Sequence, residues 1–263
     1  MNAPLVLRGG VSALGDRVLD ILDEFGAFSL LAGRSLRALV RYRFPFHACL
    51  VQFESVVVRS LPVVGITALF TGMVLALQTV VTLGRFGAKP YTGSFVGLAL
   101  VLELGPVLTA LMIAGRVGAG ITAEIGSMAV TEQVDAIRAM GADPIHKLVV
   151  PRVLALVLGI PMLTVLADFL GVFGGLVISS QHGISPNFYI QSVLTTLTLS
   201  DFVRGVAKTP FFGWIIAMVA CYMGLRTQGG TVGVGRATTR TVVVASISVL
   251  ISDYFLTEAM WLL

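Results

Sequence analysis

Three carboxylates, Glu103, Asp168 and Asp253, each sit inside a long apolar run of this sequence. At the centre of a bilayer an ionised side chain costs roughly 2.5–3.5 kcal/mol on insertion scales. Residues kept there serve ion paths, substrate contacts or hydrogen bonds between helices. Glu103 is followed by Gly105 and Pro106, a pair that bends a helix. Two readings are open for it: a polar point in a substrate path, or a carboxylate satisfied by a neighbouring helix. The same choice applies to Asp168 and Asp253, whereas Glu258 falls near the end of its run, where water reaches.

A second concentration of chemistry lies at 115–152. It holds Arg116, Glu124, Glu132, Asp135, Arg138, Asp143, Lys147 and Arg152 in a chain that is only 12% charged. From Val130 to Met140 the spacing is helical. Val130, Val134 and Ile137 share one side, while Thr131, Glu132, Asp135 and Arg138 share the other. Gly141 and Pro144 then stop the helix. A short amphipathic helix between two apolar segments has to lie at a membrane surface and present its charged face to something.

Enzyme chemistry finds little support. GRVGAG at 115–120 and GGTVGVG at 229–235 look like phosphate loops, but neither follows a strand, and no G-x-x-x-x-G-K-[ST] occurs. The histidines, His47, His146 and His182, are too scattered for a metal site. Cys49 and Cys221 lie apart in apolar surroundings and read as small buried fillers. No catalytic set of Ser, His and Asp or of Cys and His suggests itself. The net charge of +4 does not indicate nucleic acid, because the basic residues stand between apolar runs without interleaved aromatics. The sequence points to a transporter or a scaffold.

The elements that must position these residues follow from composition. The chain is 56% hydrophobic with a mean hydropathy of +0.92, against about 25% charged residues in a soluble domain. Spans of roughly 20 apolar residues are expected at 61–83, 94–115, 153–179, 211–225 (extended backwards) and 241–262. Before them, Val11, Leu14, Val18, Leu22 and Phe25, widened by Ile21 and Phe28, form one stripe opposite Asp16, Arg17, Asp20, Asp23 and Glu24. That pattern fits a helix lying in the membrane interface or docked on a partner. Arg34, Arg37, Arg41, Arg43 and Pro45 follow, then a second helix near 47–60. The N-terminus shows no cleaved signal peptide.

The expectation is an all-α integral membrane protein: an N-terminal interfacial helix, five transmembrane helices and a cytoplasmic coupling helix. Residues 1–60 would form the N-terminal helices and 61–263 the membrane domain, with the coupling segment at 116–147. With the N-terminus inside, 14 basic residues fall on inner segments. Only Arg85, Lys89, Arg204 and Lys208 fall on outer ones, which places the N-terminus in the cytoplasm and the C-terminus outside. The outer loop from Gln181 to Thr209 should carry a short helix at 186–196. Gly171 with Gly175, and Ala114 with Gly118, are small-xxx-small pairs suited to close helix packing.

ELGPVLTALMIAGRVGAGITAEIGSMAVTEQVDAIRAMGADP, from Glu103, and GRATTRTVV, from Gly235, resemble the MlaE/YrbE permease family. These are membrane subunits of ABC transporters that move phospholipids between bacterial inner and outer membranes. The resemblance covers about residues 45–262 and matches the layout above. It implies a homodimer in the inner membrane, a separate ATPase that binds ATP and Mg, a periplasmic ring of MCE-domain proteins and, in some systems, a STAS-domain protein. This chain itself would hold no cofactor. The resemblance implies ATPase coupling through Glu124, Met128, Glu132 and Gln133, with Asp135 and Arg138 on the same helix. Arg236, Thr239 and Arg240 match a cytoplasmic loop motif. GMVLALQ places Leu75 and Gln78, together with Leu102 and Glu103, along a lipid path. Family members carry an arginine before the E-L-G-P glutamate; this chain has Leu102.

Two other classes remain open on the residues alone. One is an ion-coupled secondary transporter using Glu103, Asp168 or Asp253. The other is a scaffold that only anchors an MCE ring.

Overall fold

The structure is a computed structural model that describes residues 19, 22–38 and 46–262. The chain divides into two compact units, Met1–Phe44 and Pro45–Leu263. In the first, α1 occupies 22–38 and leaves Leu22, Phe25, Leu30 and Leu36 exposed. Val11, Leu14, Asp16, Arg17, Val18, Asp20 and Ile21 of the expected stripe and its charged face, and Arg41, Arg43 and Pro45 after it, lie outside the described residues.

The described residues of the second unit form helices joined by short turns, with no strand among them. α2 (Phe46–Val57) runs through a short 3-10 turn into α3 (Leu61–Arg85), with Pro62 in the first turn, where a missing N–H costs nothing. Next come α4 (Lys89–Val130), α5 (Gln133–Ala139), α6 (Ile145–Gln181), α7 (Pro186–Thr196), α8 (Leu199–Leu225) and α9 (Gly230–Leu262). The stretch formed by α2 and α3, and the helices α4, α6, α8 and α9, are long and apolar enough to cross a membrane. This is the multi-pass all-α architecture expected.

α6 is the central element, packed against α2, α3, α4 and α8. Its contact with α3 is backbone on backbone: a Cβ at Gly72 would stand 1.9 Å from the Gly171 carbonyl oxygen. Gly171 therefore closes a helix interface, as its spacing suggested. Below the surface, Thr122 ties three helices together. Its hydroxyl lies 3.1 Å from the Ala220 carbonyl oxygen of α8 and 2.9 Å from Thr241 Oγ1 of α9.

Several boundaries differ from the sequence expectation. The second span does not end at Gly115. α4 continues to Val130, passing through two π-turns at Leu100–Leu104 and Ala114–Gly118, so Arg116 and Glu124 are helical. Gly and Pro mark these positions, but the extra residue of each π-turn absorbs the disruption without ending the helix. The helix foreseen from Val130 to Met140 is shorter, Gln133–Ala139, because Glu132 adopts left-handed backbone (φ +59°) and breaks the chain after Val130. The fourth span begins at Leu199, well before 211. Thr198 and Asp201 form a reciprocal capping box there, with Thr198 Oγ1 accepting from the Asp201 amide and Asp201 Oδ2 from the Thr198 amide. The expected outer loop is thus shorter, although the helix at 186–196 is present as α7. Arg236, Thr239 and Arg240 lie not in a loop but in the first turns of α9.

Candidate functional site

Lys208 stands nine residues into α8, about 13 Å along the helix axis from its start, with a side chain only 3% exposed. A buried ammonium needs partners on every side. It finds four. Nζ is 2.9 Å from Glu103 Oε1 and 3.3 Å from Asp253 Oδ1, and it donates to Thr257 Oγ1 at 2.7 Å and to the Leu102 carbonyl at 3.0 Å. Thr257 Oγ1 in turn donates to Glu103 Oε1 at 3.2 Å. The centre therefore joins α4, α8 and α9.

Local sequence explains its shape. Pro106 has no N–H to offer the carbonyl four residues back, that of Leu102, and Lys208 reaches that oxygen instead. The approach is close because Gly205 has no side chain: a Cβ there would lie 2.0 Å from the Val101 carbonyl oxygen. Of the three intramembrane carboxylates, Glu103 and Asp253 thus meet at one cation. Asp168 does not join them. It is buried against Gly105, where an added Cβ would be 1.8 Å from Asp168 Oδ1, and neither carboxyl oxygen has a hydrogen-bond partner among the described residues.

Two cavities flank this part of α4. One, of about 310 Å³, is lined by Leu102, Glu103, Lys208, Thr257 and apolar side chains that include Phe95 and Leu98. The other, of about 500 Å³, runs along α3 past Phe70, Val74, Leu75 and Gln78 to Leu104. The four residues assigned to one lipid path therefore divide: Leu102 and Glu103 face the first cavity, and Leu75 and Gln78 the second. Consecutive side chains of α4 point to different sides of the helix, which separates Leu104 from the pair before it.

One end of the unit is built around α5. Val134 and Ile137 are buried against Leu148, Met128 and Leu225, while Glu132, Gln133, Asp135 and Arg138 are exposed. Asp135 and Arg138 pair at 2.8 Å on that exposed face. The Gly141 amide donates to the Arg138 carbonyl and the Ala142 amide to that of Ile137, closing the helix. Of the six residues assigned to coupling, four are on the open face. Met128 packs beneath the helix. Glu124 reaches 2.8 Å to Arg152 Nη2 on α6, an arginine side chain 4% exposed whose Nη1 also donates to the Leu148 carbonyl at 2.6 Å. This pair fixes α4 to α6, the two helices that flank α5 in the chain.

Lys208, Arg152 and the Thr122–Thr241 contact were not singled out from sequence as site residues. For Lys208 a signal existed. T-L-S-D at 198–201 has the spacing of a capping box, which starts the helix early enough to carry position 208 into the membrane.

The family model for Permease MlaE matches residues 49–259. The chain is 40% identical over 248 residues to a probable ABC transporter permease protein of Rickettsia bellii, covering 94% of this chain and 96% of that protein. It is 35% identical over 253 residues to the intermembrane phospholipid transport system permease protein MlaE of Haemophilus influenzae, covering 95% and 97%. It is also 35% identical over 230 residues to the chloroplastic protein TRIGALACTOSYLDIACYLGLYCEROL 1 of Arabidopsis thaliana, covering 87% of this chain and 66% of that one.

Proposed function

We infer, from a chain that belongs to the MlaE permease family, the membrane half of a two-part machine for phospholipids. The chain is the permease component of an ABC transporter and not its ATPase. Its substrate is phospholipid moving between the inner and outer membranes, the cargo class in the Haemophilus relative's name. A separate ATPase binds ATP and Mg and docks on the exposed face of α5, where Glu132, Gln133, Asp135 and Arg138 are presented.

The observation that carries this reading is the mounting of α5. Its apolar side is locked among Leu148, Met128 and Leu225, and the Glu124–Arg152 pair ties the two flanking helices together. A push on that helix is delivered to α4 and α6, and α4 carries Glu103. Lipid passes along the apolar cavities beside α4, with Leu75 and Gln78 lining one and Leu102 and Glu103 the other.

The rest of the assembly follows the family. The chain is a homodimer in the inner membrane, with its N-terminus and α5 cytoplasmic and its C-terminus periplasmic. An MCE ring sits on the periplasmic side and a STAS-domain protein accompanies the ATPase. Placing Arg204 and Lys208 within α8 removes them from the outer loops, which strengthens the asymmetry of basic residues behind that orientation. Arg236 and Arg240 sit at the cytoplasmic start of α9. An ion-coupled carrier is not favoured, since the relatives are ABC permeases and Glu103 and Asp253 share the Lys208 ammonium as an ion-pair partner.

Affinity purification from native membranes, with mass spectrometry of the eluate, tests the reading. An ATPase and an MCE-domain protein are expected to accompany the chain. A chain that elutes alone and moves lipid on an imposed proton gradient would overturn it.

A further inference from the structure

Most buried threonines of this unit bond back to their own helix. Thr79, Thr122 and Thr227 each donate to the carbonyl four residues before, and Thr92 and Thr209 to the one three before. Thr109 and Thr164 do not. They are 2% and 0% exposed, and neither hydroxyl has a hydrogen-bond partner among the described residues. Asp168, 4% exposed, lacks a partner on both carboxyl oxygens. Nor does a described cation pair with it: Lys208 goes to Glu103 and Asp253, and Arg152 to Glu124. A buried carboxylate left in that condition is costly.

These three side chains belong to one place. The contacts Val96–Gly175, Leu100–Gly171 and Gly105–Asp168 run in opposite chain order along α4 and α6, so the two helices are antiparallel. One turn further on, Thr109 stands level with Thr164, and positions 164 and 168 share a face of α6. Four unpartnered oxygens thus lie within about one turn of the α4–α6 interface. The π-turn at Leu100–Leu104 runs into Gly105 at this level, a kind of bulge frequent at functional sites. Beside it is a cavity of about 10 Å³, lined by Thr67, Thr71, Gly105, Thr109 and Ala167 among others, with room for about one water-sized guest. Thr67, Thr71 and Leu104 also line the open groove along α3, which supplies a way in.

We propose that Asp168, Thr109 and Thr164 form a site for one sodium ion that ties α4 to α6. Carboxylate and hydroxyl are hard oxygen donors, the kind that suits hard cations. One carboxylate balances one positive charge, and a divalent ion would leave a net charge inside the membrane, where it is costly. A proton would balance the charge but leave Thr109 and Thr164 without a partner. The ion is a fixed tie and not cargo. The next buried unpartnered oxygen along α6, Ser179 Oγ, is eleven residues on from Asp168, about 16 Å along the axis. The site stands independently of which lipid the permease moves.

The test uses the full chain with its co-purified partners in detergent, at constant ionic strength, with sodium chloride replaced stepwise by choline chloride. Binding of 22Na+ is measured by equilibrium dialysis and the unfolding midpoint of the chain by a thermal scan. The parent protein should bind about one sodium per chain saturably, and its midpoint should rise on the order of 5 °C at saturation. Asp168→Asn should lower the binding at least tenfold and make the midpoint indifferent to sodium. Thr109→Val combined with Thr164→Val removes the hydroxyls and keeps the side-chain shape and the carboxylate; it should also weaken binding at least tenfold, and it carries the test if Asp168→Asn does not fold. No saturable 22Na+ binding in the parent overturns the site, as does binding that survives either variant. A midpoint raised by acid and indifferent to sodium would assign the carboxylate a proton and overturn it equally.

Discussion

Lys208 donates from Nζ to the carbonyl oxygen of Leu102 at 3.0 Å, the oxygen that an amide at position 106 would otherwise reach and that Pro106 leaves open. One side chain thereby meets a backbone acceptor exposed by a proline and pairs with two carboxylates, Glu103 and Asp253. The π-turn in α4 and the charge on α8 are parts of one arrangement. Removing the cation while leaving the acids should be costly. Lys208→Met is expected to destabilise the protein by roughly 3–5 kcal/mol, as when one partner of a buried pair is deleted. Thermal unfolding in detergent would register this as a midpoint lower by on the order of 10 °C. Adding Glu103→Gln and Asp253→Asn to the same protein should restore most of the loss. A triple variant no better than the single one would show that the acids are not what Lys208 satisfies.

Glu103→Gln alone should be gentler on the fold. Lys208 keeps Asp253, Thr257 and the Leu102 carbonyl, and an amide oxygen can still accept. Assembly is expected to be intact, with a stability loss of about 1 kcal/mol, while lipid transport falls. Size-exclusion chromatography and a transport assay on the same preparation separate these effects. If the variant fails to assemble, Glu103 is structural.

The exposed face of α5 predicts a charge-reversal phenotype. Glu132→Lys combined with Asp135→Arg inverts two exposed acids without touching Val134 or Ile137, which hold the helix down. Membrane insertion should be normal and the co-purified ATPase reduced at least tenfold. Undiminished co-purification would remove α5 as the docking element.

Glu124→Gln tests the tie to Arg152. The arginine is buried and the carboxylate about half exposed, so the solvent-discounted cost is about 1–2 kcal/mol. ATPase binding should persist, but the gain in ATPase activity on adding lipid should shrink. That split would mark the pair as a mechanical link; a change in binding alone would place Glu124 in the contact surface.

Gly72→Val addresses the packing of α3 on α6. The new Cβ would fall 1.9 Å from the Gly171 carbonyl oxygen, forcing two backbones apart at a cost of roughly 1–3 kcal/mol. Proteolysis of the detergent-solubilised protein should be faster, and Gly120→Ala, at a position with open space around it, is the matched control.

What the sequence made legible was whatever depends on composition and period. The five long apolar helices, the short helix at 186–196 and the two-faced character of 133–139 follow from hydropathy and i, i+3, i+4 spacing. The ends were harder. Glycines at 115, 118 and 120 suggested a loop, yet α4 passes through them because tertiary packing outweighs local propensity. Position 208 falls in the expected outer loop because the fourth apolar run reads as beginning only at Phe211. The pairing that makes it tolerable comes from residues 105 and 45 positions away in the chain, Glu103 and Asp253, which no local pattern joins. Glu124 illustrates the same limit from the other side. It sits in the segment that reads as coupling, and the structure pairs it with a buried arginine on another helix.

The decisive measurement is lipid movement by the reconstituted assembly. The chain with its co-purified ATPase is placed in vesicles containing fluorescent phospholipid, and transfer to acceptor protein is followed with ATP, with a non-hydrolysable analogue, and with an imposed proton gradient. Transfer should require ATP hydrolysis, be lost in Glu132→Lys with Asp135→Arg, and ignore the gradient. Transfer driven by the gradient and indifferent to ATP would contradict the reading of this chain as the permease half of an ATP-driven lipid transporter.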